Sequence, residues 1–448
     1  MMIRHGFTAS IVSMPLEPWP YSHMHGPISR RRWWIAWLLG FGVLVNYFDR
    51  VNLSVSQEAL HKDFGISTIA FGYLLSAYSW TYALLQMPSG VLLDRFGVRR
   101  LGRVSALIWS IASFATAIST GMGALFASRL LLGIGEAPTF PGNAKAIGYW
   151  FPKEERSLAT ALFDAAAKFS SAIGVPVIGI LLLHFGWRWS FAATGFVSLV
   201  YFALFCAFYR NPSEDSSLSA AEREFIVQGG AQPEDQLQSA KGAPLPYLLG
   251  QGEVWGLAVG FAAYSYSFYL LLSWLPSYLS TTHRVDLFHS VLYTSVPWLV
   301  ATFSDLLVGG WLVDFLIQRG WNATRIRQVV LITGTGLGLG ILGAAGAYSP
   351  AGALFWISLS LGGLAAAAPV AWSIPSLIAP RESVGTVGGI MNFCSQLAAI
   401  AAPILTGYLV QATHSFSVAF VAATIFLIIG IAGYAFLLGN MKPILDPS

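Results

Sequence analysis

Long apolar stretches dominate this 448-residue chain. A helix needs roughly 20 predominantly apolar residues to cross the hydrocarbon core of a bilayer. Twelve stretches reach about that length, so each is predicted to cross the membrane once. We place these spans at residues 33–54, 70–92, 102–120, 124–148, 157–182, 187–209, 250–279, 288–316, 326–346, 350–377, 383–412 and 416–439.

The composition supports the same class of protein. Hydrophobic residues make up 55% of the chain and charged residues 10%, whereas a soluble domain carries about 25% charged residues. A soluble protein of this size could not cover its surface with so few charges. The chain is therefore predicted to be an all-α membrane protein, with the lipid bilayer as its solvent.

The motifs that are missing narrow the function. The two cysteines lie in apolar stretches, the eight histidines form no HxxxH or HExxH pair, and no phosphate-binding GxxxxGK[ST] loop occurs. We therefore expect no enzyme activity, no metal, no cofactor and no ATP-driven pump. The net charge of +4 is no sign of nucleic-acid binding, because basic residues mark the cytoplasmic side of membrane proteins.

One long polar interval divides the spans six and six, which predicts two six-helix bundles joined by a linker. The stretch before the first span is polar and lacks the apolar core of a signal peptide. The predicted tail, first bundle, linker, second bundle and C-terminal tail are residues 1–32, 33–209, 210–249, 250–439 and 440–448.

The positions of the 25 Lys and Arg residues predict the orientation. With the N-terminus inside, we place 18 of them in cytoplasmic segments, three in outer segments and four within spans. This bias strongly favours a cell (inner) membrane protein with both termini in the cytoplasm.

A short repeat links the two halves. Gly90 is followed four residues later by Asp94, and Gly310 stands at the same spacing before Asp314. Two similar six-span halves are typical of a transporter built by pseudo-symmetry, with its binding site between the halves.

The motifs also resemble a known family. Residues 90–100 (GVLLDRFGVRR) resemble the loop signature of the major facilitator superfamily. Further stretches resemble one branch of it, the anion:cation symporter family. They are residues 46–54 (NYFDRVNLS), 129–141 (RLLLGIGEAPTFP), 149–156 (YWFPKEER), 274–279 (WLPSYL) and 389–393 (GIMNF).

This resemblance implies the major facilitator fold and a proton-coupled importer of organic anions, such as sugar acids or aromatic carboxylates. It points to Asp49 and Glu136 as an acidic pair that works with Arg50 and Arg129. It also places three side chains at positions that line the family's cavity, namely Tyr47, Tyr82 and Asn392. Two further polar side chains in spans 7 and 11 complete the expected site, Tyr269 and Gln396.

The residues themselves suggest the same chemistry. Arginine presents a planar fork suited to a carboxylate, and a carboxyl group withdrawn from water exchanges its proton closer to neutral pH. We therefore expect Asp49 and Glu136 to couple protons. Deprotonated, they would pair with Arg50 or Arg129; protonated, they would release the arginine for the substrate's carboxylate. The alternative is that these charges only form structural ion pairs between helices.

Further charges lie within the spans. Asp164 and Lys168 have the i, i+4 spacing of an ion pair within one helix. Lys168 could instead bind a second anionic group of the substrate, because many sugar-acid relatives have a glutamine–aromatic pair where this chain has Ala167-Lys168. Asp305 has no obvious partner in the sequence. We expect it to have a structural role, held by hydrogen bonds near the cytoplasmic end.

The repeated loop is expected to serve as a conformational gate that holds the inward side closed and opens as the halves rock. Its residues lie at the membrane surface, away from a ligand at the bilayer centre. They are Gly90, Asp94, Arg95, Gly97, Arg99, Arg100 and Asp314.

We predict a monomeric secondary transporter that imports an organic carboxylate with protons. A drug or metabolite exporter of the same superfamily is one alternative, but four basic residues within the spans disfavour cationic drugs. A transporter-like receptor is another, although such proteins usually carry long signalling extensions.

Overall fold

The computed structural model describes residues 30–152, 155–231, 243–380 and 383–445. Residues 1–29, most of the second part of the linker and the last three residues lie outside this description, and so does the side chain of Asp94. The described residues form helices and no strands.

Seventeen α-helices and two π-helical segments make up the described chain. The α-helices, in chain order, are α1 Arg31–Val55, α2 Gln57–Phe64, α3 Thr68–Ala117, α4 Met122–Glu136, α5 Thr139–Trp150, α6 Arg156–Phe208, α7 Ala220–Gln228, α8 Leu245–Leu249, α9 Gly252–Thr282, α10 Leu287–Ser304, α11 Val313–Gln318, α12 Ala323–Gly338, α13 Ile341–Ala345, α14 Pro350–Ser373, α15 Pro375–Ile378, α16 Val384–Thr413 and α17 Ser417–Ala432. The π-helical segments are Asp305–Leu312, between α10 and α11, and Gly433–Leu438, after α17.

The predicted spans fall on these helices. Helices α3 and α6 each contain two spans, which are separated at Gly97 and at Gly186. These glycines have φ of +74° and +79°, where a side chain would strain the backbone. Seven helical stretches of the described chain are long and apolar enough to cross a membrane, and the one at Leu158–Phe208 is long enough for two crossings.

Each half of the chain packs mainly against itself. In the first half α1 packs on α6 and α3 packs on α4, and in the second half α9 packs on α16 and α14 on α10 and α12. Contacts between the halves join α3 to α16, α6 to α10 and α1 to α9.

One end of the bundle, which we call the basic end, is held together by ion pairs. At the start of α1, Arg32 bonds Glu155 (2.7 Å) and the fully buried Glu222 of α7 (2.8 Å). Near the turn of α3, Arg99 bonds Glu214 at 2.6 Å. The start of α1, the start of α6, the turn at Gly97 and the first part of the linker therefore lie at the same end.

The opposite end is closed by contacts between the two halves. The hydroxyl groups of Tyr73 on α3 and Tyr408 on α16 lie 3.3 Å apart, and the backbone N–H of Ile69 donates to the side chain of Gln411 at 3.1 Å. The start of α3 and the end of α16 are thus in contact at the end of the bundle opposite the basic end.

Close helix packing in the second half depends on small residues. A Cβ atom added at Gly334 of α12 would lie 2.6 Å from the carbonyl oxygen of Gly363 on α14, whereas one added at Gly336 would meet no atom within 4 Å. Small residues let helix backbones approach closely in membranes.

We expect Gly334→Ala to destabilise the protein by roughly 1–3 kcal/mol, because α12 and α14 must move apart. Gly336→Ala, in the interior of the same helix, should leave stability unchanged or slightly raised. Thermal unfolding of the purified protein in detergent measures both. Equal melting temperatures for the two variants would contradict the packing argument.

Candidate functional site

A buried ion pair inside the bundle joins Arg50 of α1 to Glu136 of α4. The guanidinium donates twice to one carboxylate oxygen, from Nε at 2.9 Å and from Nη2 at 2.6 Å, and both bonds reach Oε2. Glu136 is fully buried and Arg50 is 7% exposed. A pair this deeply buried is stable only because each charge compensates the other.

Aromatic rings surround the same guanidinium. The Arg50 carbon Cζ lies 4.6 Å, 4.8 Å and 5.5 Å from the ring centres of Tyr47, Tyr78 and Tyr82, within the range of cation–π attraction. From the second half, the hydroxyl of Tyr269 on α9 accepts from Nη1 at 3.5 Å. The structure therefore brings three predicted site tyrosines to one arginine.

Arg129 and Asp49 form a second group beside the first. Arg129 donates from Nη1 to the backbone oxygen of Asp49 at 3.2 Å and from Nη2 to Thr116. The Asp49 carboxylate accepts from Ser113 at 2.7 Å and from Ser198 at 3.2 Å. Two serine hydroxyls, not the expected arginine, therefore hold this buried carboxylate in the described part of the chain.

A small cavity is lined by the two arginines and by residues of α9. Its volume of about 10 Å³ is room for roughly one water molecule. Two buried polar atoms of these groups, Glu136 Oε1 and Arg129 Nε, have no hydrogen-bond partner among the described residues. The cavity is lined by Arg50, Leu53, Leu75, Tyr78, Arg129, Tyr269, Leu272 and Ser273.

Lys168 belongs to a different cluster. Its ammonium bonds Asp164 on the same helix at 2.8 Å and also forms an ion pair with Asp305 of the second half. The prediction that Asp305 lacks a charged partner is wrong. The sequence could not show this pair, because its partners lie 137 positions apart and meet only where α6 packs against the π-helical segment.

The two predicted site residues of α16 lie in the second half. Asn392 donates to Gln86 of α3 at 3.3 Å and so joins the halves. Gln396 is 5% exposed, and its Oε1 has no hydrogen-bond partner among the described residues. Its side chain therefore has a free acceptor inside the bundle.

The predicted gate residues lie at or near the basic end. Arg99 bonds the linker residue Glu214, and Gly97 forms the turn within α3. Gly90 has open space where a side chain would be, and the Asp94 side chain lies outside the description. The other three members of the set are exposed, namely Arg95, Arg100 and Asp314.

Sequence reasoning missed the residues that hold the predicted charges. Ser113 and Ser198 are short hydroxyl side chains in apolar spans, and nothing in their spacing distinguishes them from other buried serines. Tyr78 carried a usable signal, because it lies one helical turn before Tyr82 on the same face. Among the described residues, no group of three His, Cys, Asp or Glu side chains could hold a metal.

Comparison with known proteins assigns the class. The sequence profile of the Major Facilitator Superfamily matches residues 39–403. A bacterial homolog of the human lysosomal transporter Spinster, in an inward-facing and unoccupied conformation, has the same fold, with a TM-score of 0.74 at 16% identity over 93% of this chain and 98% of that one. The chain is therefore a multi-pass membrane transporter with the twelve-helix fold, not an enzyme.

It belongs to the Major Facilitator Superfamily. The chain is 39% identical to the uncharacterized transporter YybO of Bacillus subtilis, over 92% of this chain and 95% of that protein. It is 30% identical to the D-galactonate transporter of Escherichia coli, over 92% and 97%, and 31% identical to the probable galactarate/D-glucarate transporter GarP of Escherichia coli, over 92% and 95%.

The buried pair predicts a specific pattern in a double-mutant cycle. Arg50→Met should cost about 3–5 kcal/mol of stability, because it leaves the Glu136 carboxylate buried and unpaired. Adding Glu136→Gln removes that charge and should restore much of the loss. Thermal unfolding in detergent measures Arg50→Met, Glu136→Gln alone and the double variant. Additive losses would show that the two side chains act independently.

Proposed function

We propose that this protein imports an organic carboxylate together with protons, by alternating access. Arg50 and Arg129 would bind the substrate's carboxylate, and Glu136 and Asp49 would carry the protons. The buried Arg50–Glu136 pair beside the cavity is the observation that supports this proposal best.

The coupling follows from competition for one guanidinium. While Glu136 is ionised it occupies the Nε and Nη2 donors of Arg50, which are the donors a substrate carboxylate would need. A proton on Glu136 removes its negative charge and weakens that contact. The arginine then becomes available to an incoming anion, so that anion and proton travel together.

Protonation of Asp49 would act on the second arginine, Arg129. Its main chain bonds Arg129 while its carboxylate is held by two serines. A change in charge at Asp49 therefore alters the field at Arg129 without breaking a salt bridge. Tyr47, Tyr82 and Tyr269 would shape the site around Arg50, and Asn392 and Gln396 would contact the substrate from the second half.

The relatives support a sugar acid as the substrate. Two of the three relatives are named for D-galactonate and for galactarate or D-glucarate, which are organic acids with one or two carboxyl groups. Two carboxylates already occupy the Lys168 ammonium, so a substrate would have to displace one of them to bind there. We therefore place the substrate's carboxylate at the two arginines.

The packing of the two ends supports alternating access. The halves are joined at the end opposite the basic end, whereas three glycines near the start of α16 would meet no atom within 4 Å if a Cβ were added. This asymmetry fits a site closed on one side. In the alternate conformation, the gate residues would hold the basic end closed. The three glycines are Gly385, Gly388 and Gly389.

The orientation is part of the proposal. With the basic end in the cytoplasm, both termini lie on the cytoplasmic side of the cell (inner) membrane, and the distribution of Lys and Arg follows the usual bias. The outward-closed arrangement described here would then be the inward-facing state of a monomer.

Uptake into proteoliposomes tests the proposed coupling. We expect an acidic outside to drive accumulation of labelled D-galactonate, galactarate or D-glucarate by the unaltered protein. Glu136→Gln should abolish accumulation against a gradient but keep exchange between the two sides, because the neutral amide no longer requires a proton to release Arg50.

Glu58→Gln is the matched control, because Glu58 is exposed on α2 and does not line the cavity. It should accumulate substrate like the unaltered protein. Undiminished uphill uptake by both Glu136→Gln and Asp49→Asn would reject these residues as the proton-coupling groups. No uptake of any of the three acids by well-folded protein would reject the sugar-acid assignment.

A further inference from the structure

The second buried charge cluster joins the two halves of the protein. Lys168 of α6 is 3% exposed and contacts two carboxylates, from Asp164 one turn earlier on α6 and from Asp305 of the second half. Asp305 is 5% exposed. The cluster is separate from the Arg50–Glu136 pair, and the coupling proposed above does not use it.

The charges of this cluster do not balance. Two carboxylates share one ammonium, so a fully ionised cluster carries one uncompensated negative charge, in a place where Lys168 and Asp305 are buried and the Asp164 side chain is 23% exposed. An uncompensated buried charge is strongly unfavourable, and two carboxylates that share a site do not both remain ionised. A single proton removes the imbalance.

Among the described residues, Lys168 is the one basic side chain within ion-pair distance of Asp164 or Asp305, and it is the basic group that acts on Asp305. Tyr264 of α9 faces it and is neutral as a phenol. Helix α14, which packs against the π-helical segment, has no titratable side chain. Along its own element, Asp305 is separated by more than two turns from Tyr293 and from Asp314. On α1, which packs against α6, Asp49 and Arg50 belong to the other group of charges.

We propose that the Asp164–Lys168–Asp305 cluster binds one proton while the two halves are in contact and releases it when they separate at this level. Asp164 and Lys168 share α6 and stay paired in any rigid movement of the halves. Asp305 moves with the second half. Separation therefore leaves a neutral Asp164–Lys168 pair on the first half. The Asp305 carboxyl group on the second half is then exposed to water between the halves, where it ionises.

The local backbone fits a functional site at this position. Asp305 is the first residue of a π-helical segment. Such segments are rare in proteins, and those that occur are often found at functional sites. The extra residue per turn changes the direction of the side chains that follow α10. The proposal rests on the rocking motion of the proposed function, but it needs neither the substrate nor the Asp49 and Glu136 protons.

Infrared difference spectroscopy of the membrane-reconstituted protein during a pH titration tests the proton site directly. The background is the full chain with Asp49→Asn and Glu136→Gln, so that the first group of acids is silent. We expect the C=O band of a protonated buried carboxyl to remain in this background. The band should be lost or shifted by Asp305→Asn and by Asp164→Asn.

The control is Asp286→Asn, which removes an exposed carboxylate at the start of α10 and should leave the band in place. If Asp305→Asn does not fold, Asp305→Glu keeps the carboxyl and should shift the band. Absence of a protonated buried carboxyl in the background, or a band that neither aspartate variant changes, would overturn the proposal.

The link to conformation needs a second measurement. Spin labels at Leu158→Cys and Trp321→Cys, both exposed, report the distance between the halves once Cys206 and Cys394 are replaced by alanine. In the same background, the distance distribution should depend on pH and lose that dependence with Asp305→Asn. A distribution that is independent of pH would overturn the link between proton binding and separation.

Because both measurements omit substrate and lack the first pair of acids, they can fail while proton-driven uptake succeeds. Conversely, a pH-dependent cluster in a protein that transports none of the three acids would leave this inference intact and reject only the proposed substrate.

Discussion

The cost of placing a charge in an apolar surrounding governs this structure. Each buried charge described here is held by a partner: Arg50 by Glu136, Lys168 by two aspartates, and Asp49 by two serines. Such contacts hold helices together in one arrangement, yet a proton can remove any of the carboxylate charges. The same physics therefore provides both stability and a means of switching.

The two charge clusters join different pairs of elements. The Arg50–Glu136 pair lies within the first half, and Arg50 meets the second half at Tyr269. The Lys168–Asp305 pair crosses directly from one half to the other. If both respond to protons as proposed, the first controls access to the substrate's binding groups and the second controls contact between the halves.

Much of the fold was predictable, because span length and apolar composition are local properties of the chain. The helices match the predicted spans closely, and the turns at Gly97 and Gly186 fall between predicted spans. The partner of Asp305 was not predictable, because it depends on how α6 and the π-helical segment meet. The serines beside Asp49 were hidden for the same reason: a hydroxyl in an apolar helix has no pattern that reveals what it bonds.

The hydrogen bonds from Arg50 leave one carboxylate oxygen of Glu136 free. Both guanidinium bonds end on Oε2, while the buried Oε1 has no hydrogen-bond partner among the described residues. A proton can therefore attach to the free oxygen while the arginine is still in place. In the proposed cycle the carboxyl group would become neutral before it leaves the arginine, so that an ionised Glu136 is never separated from Arg50. Glu136 would then leave Arg50 as a neutral group, without the full cost of separating two buried charges.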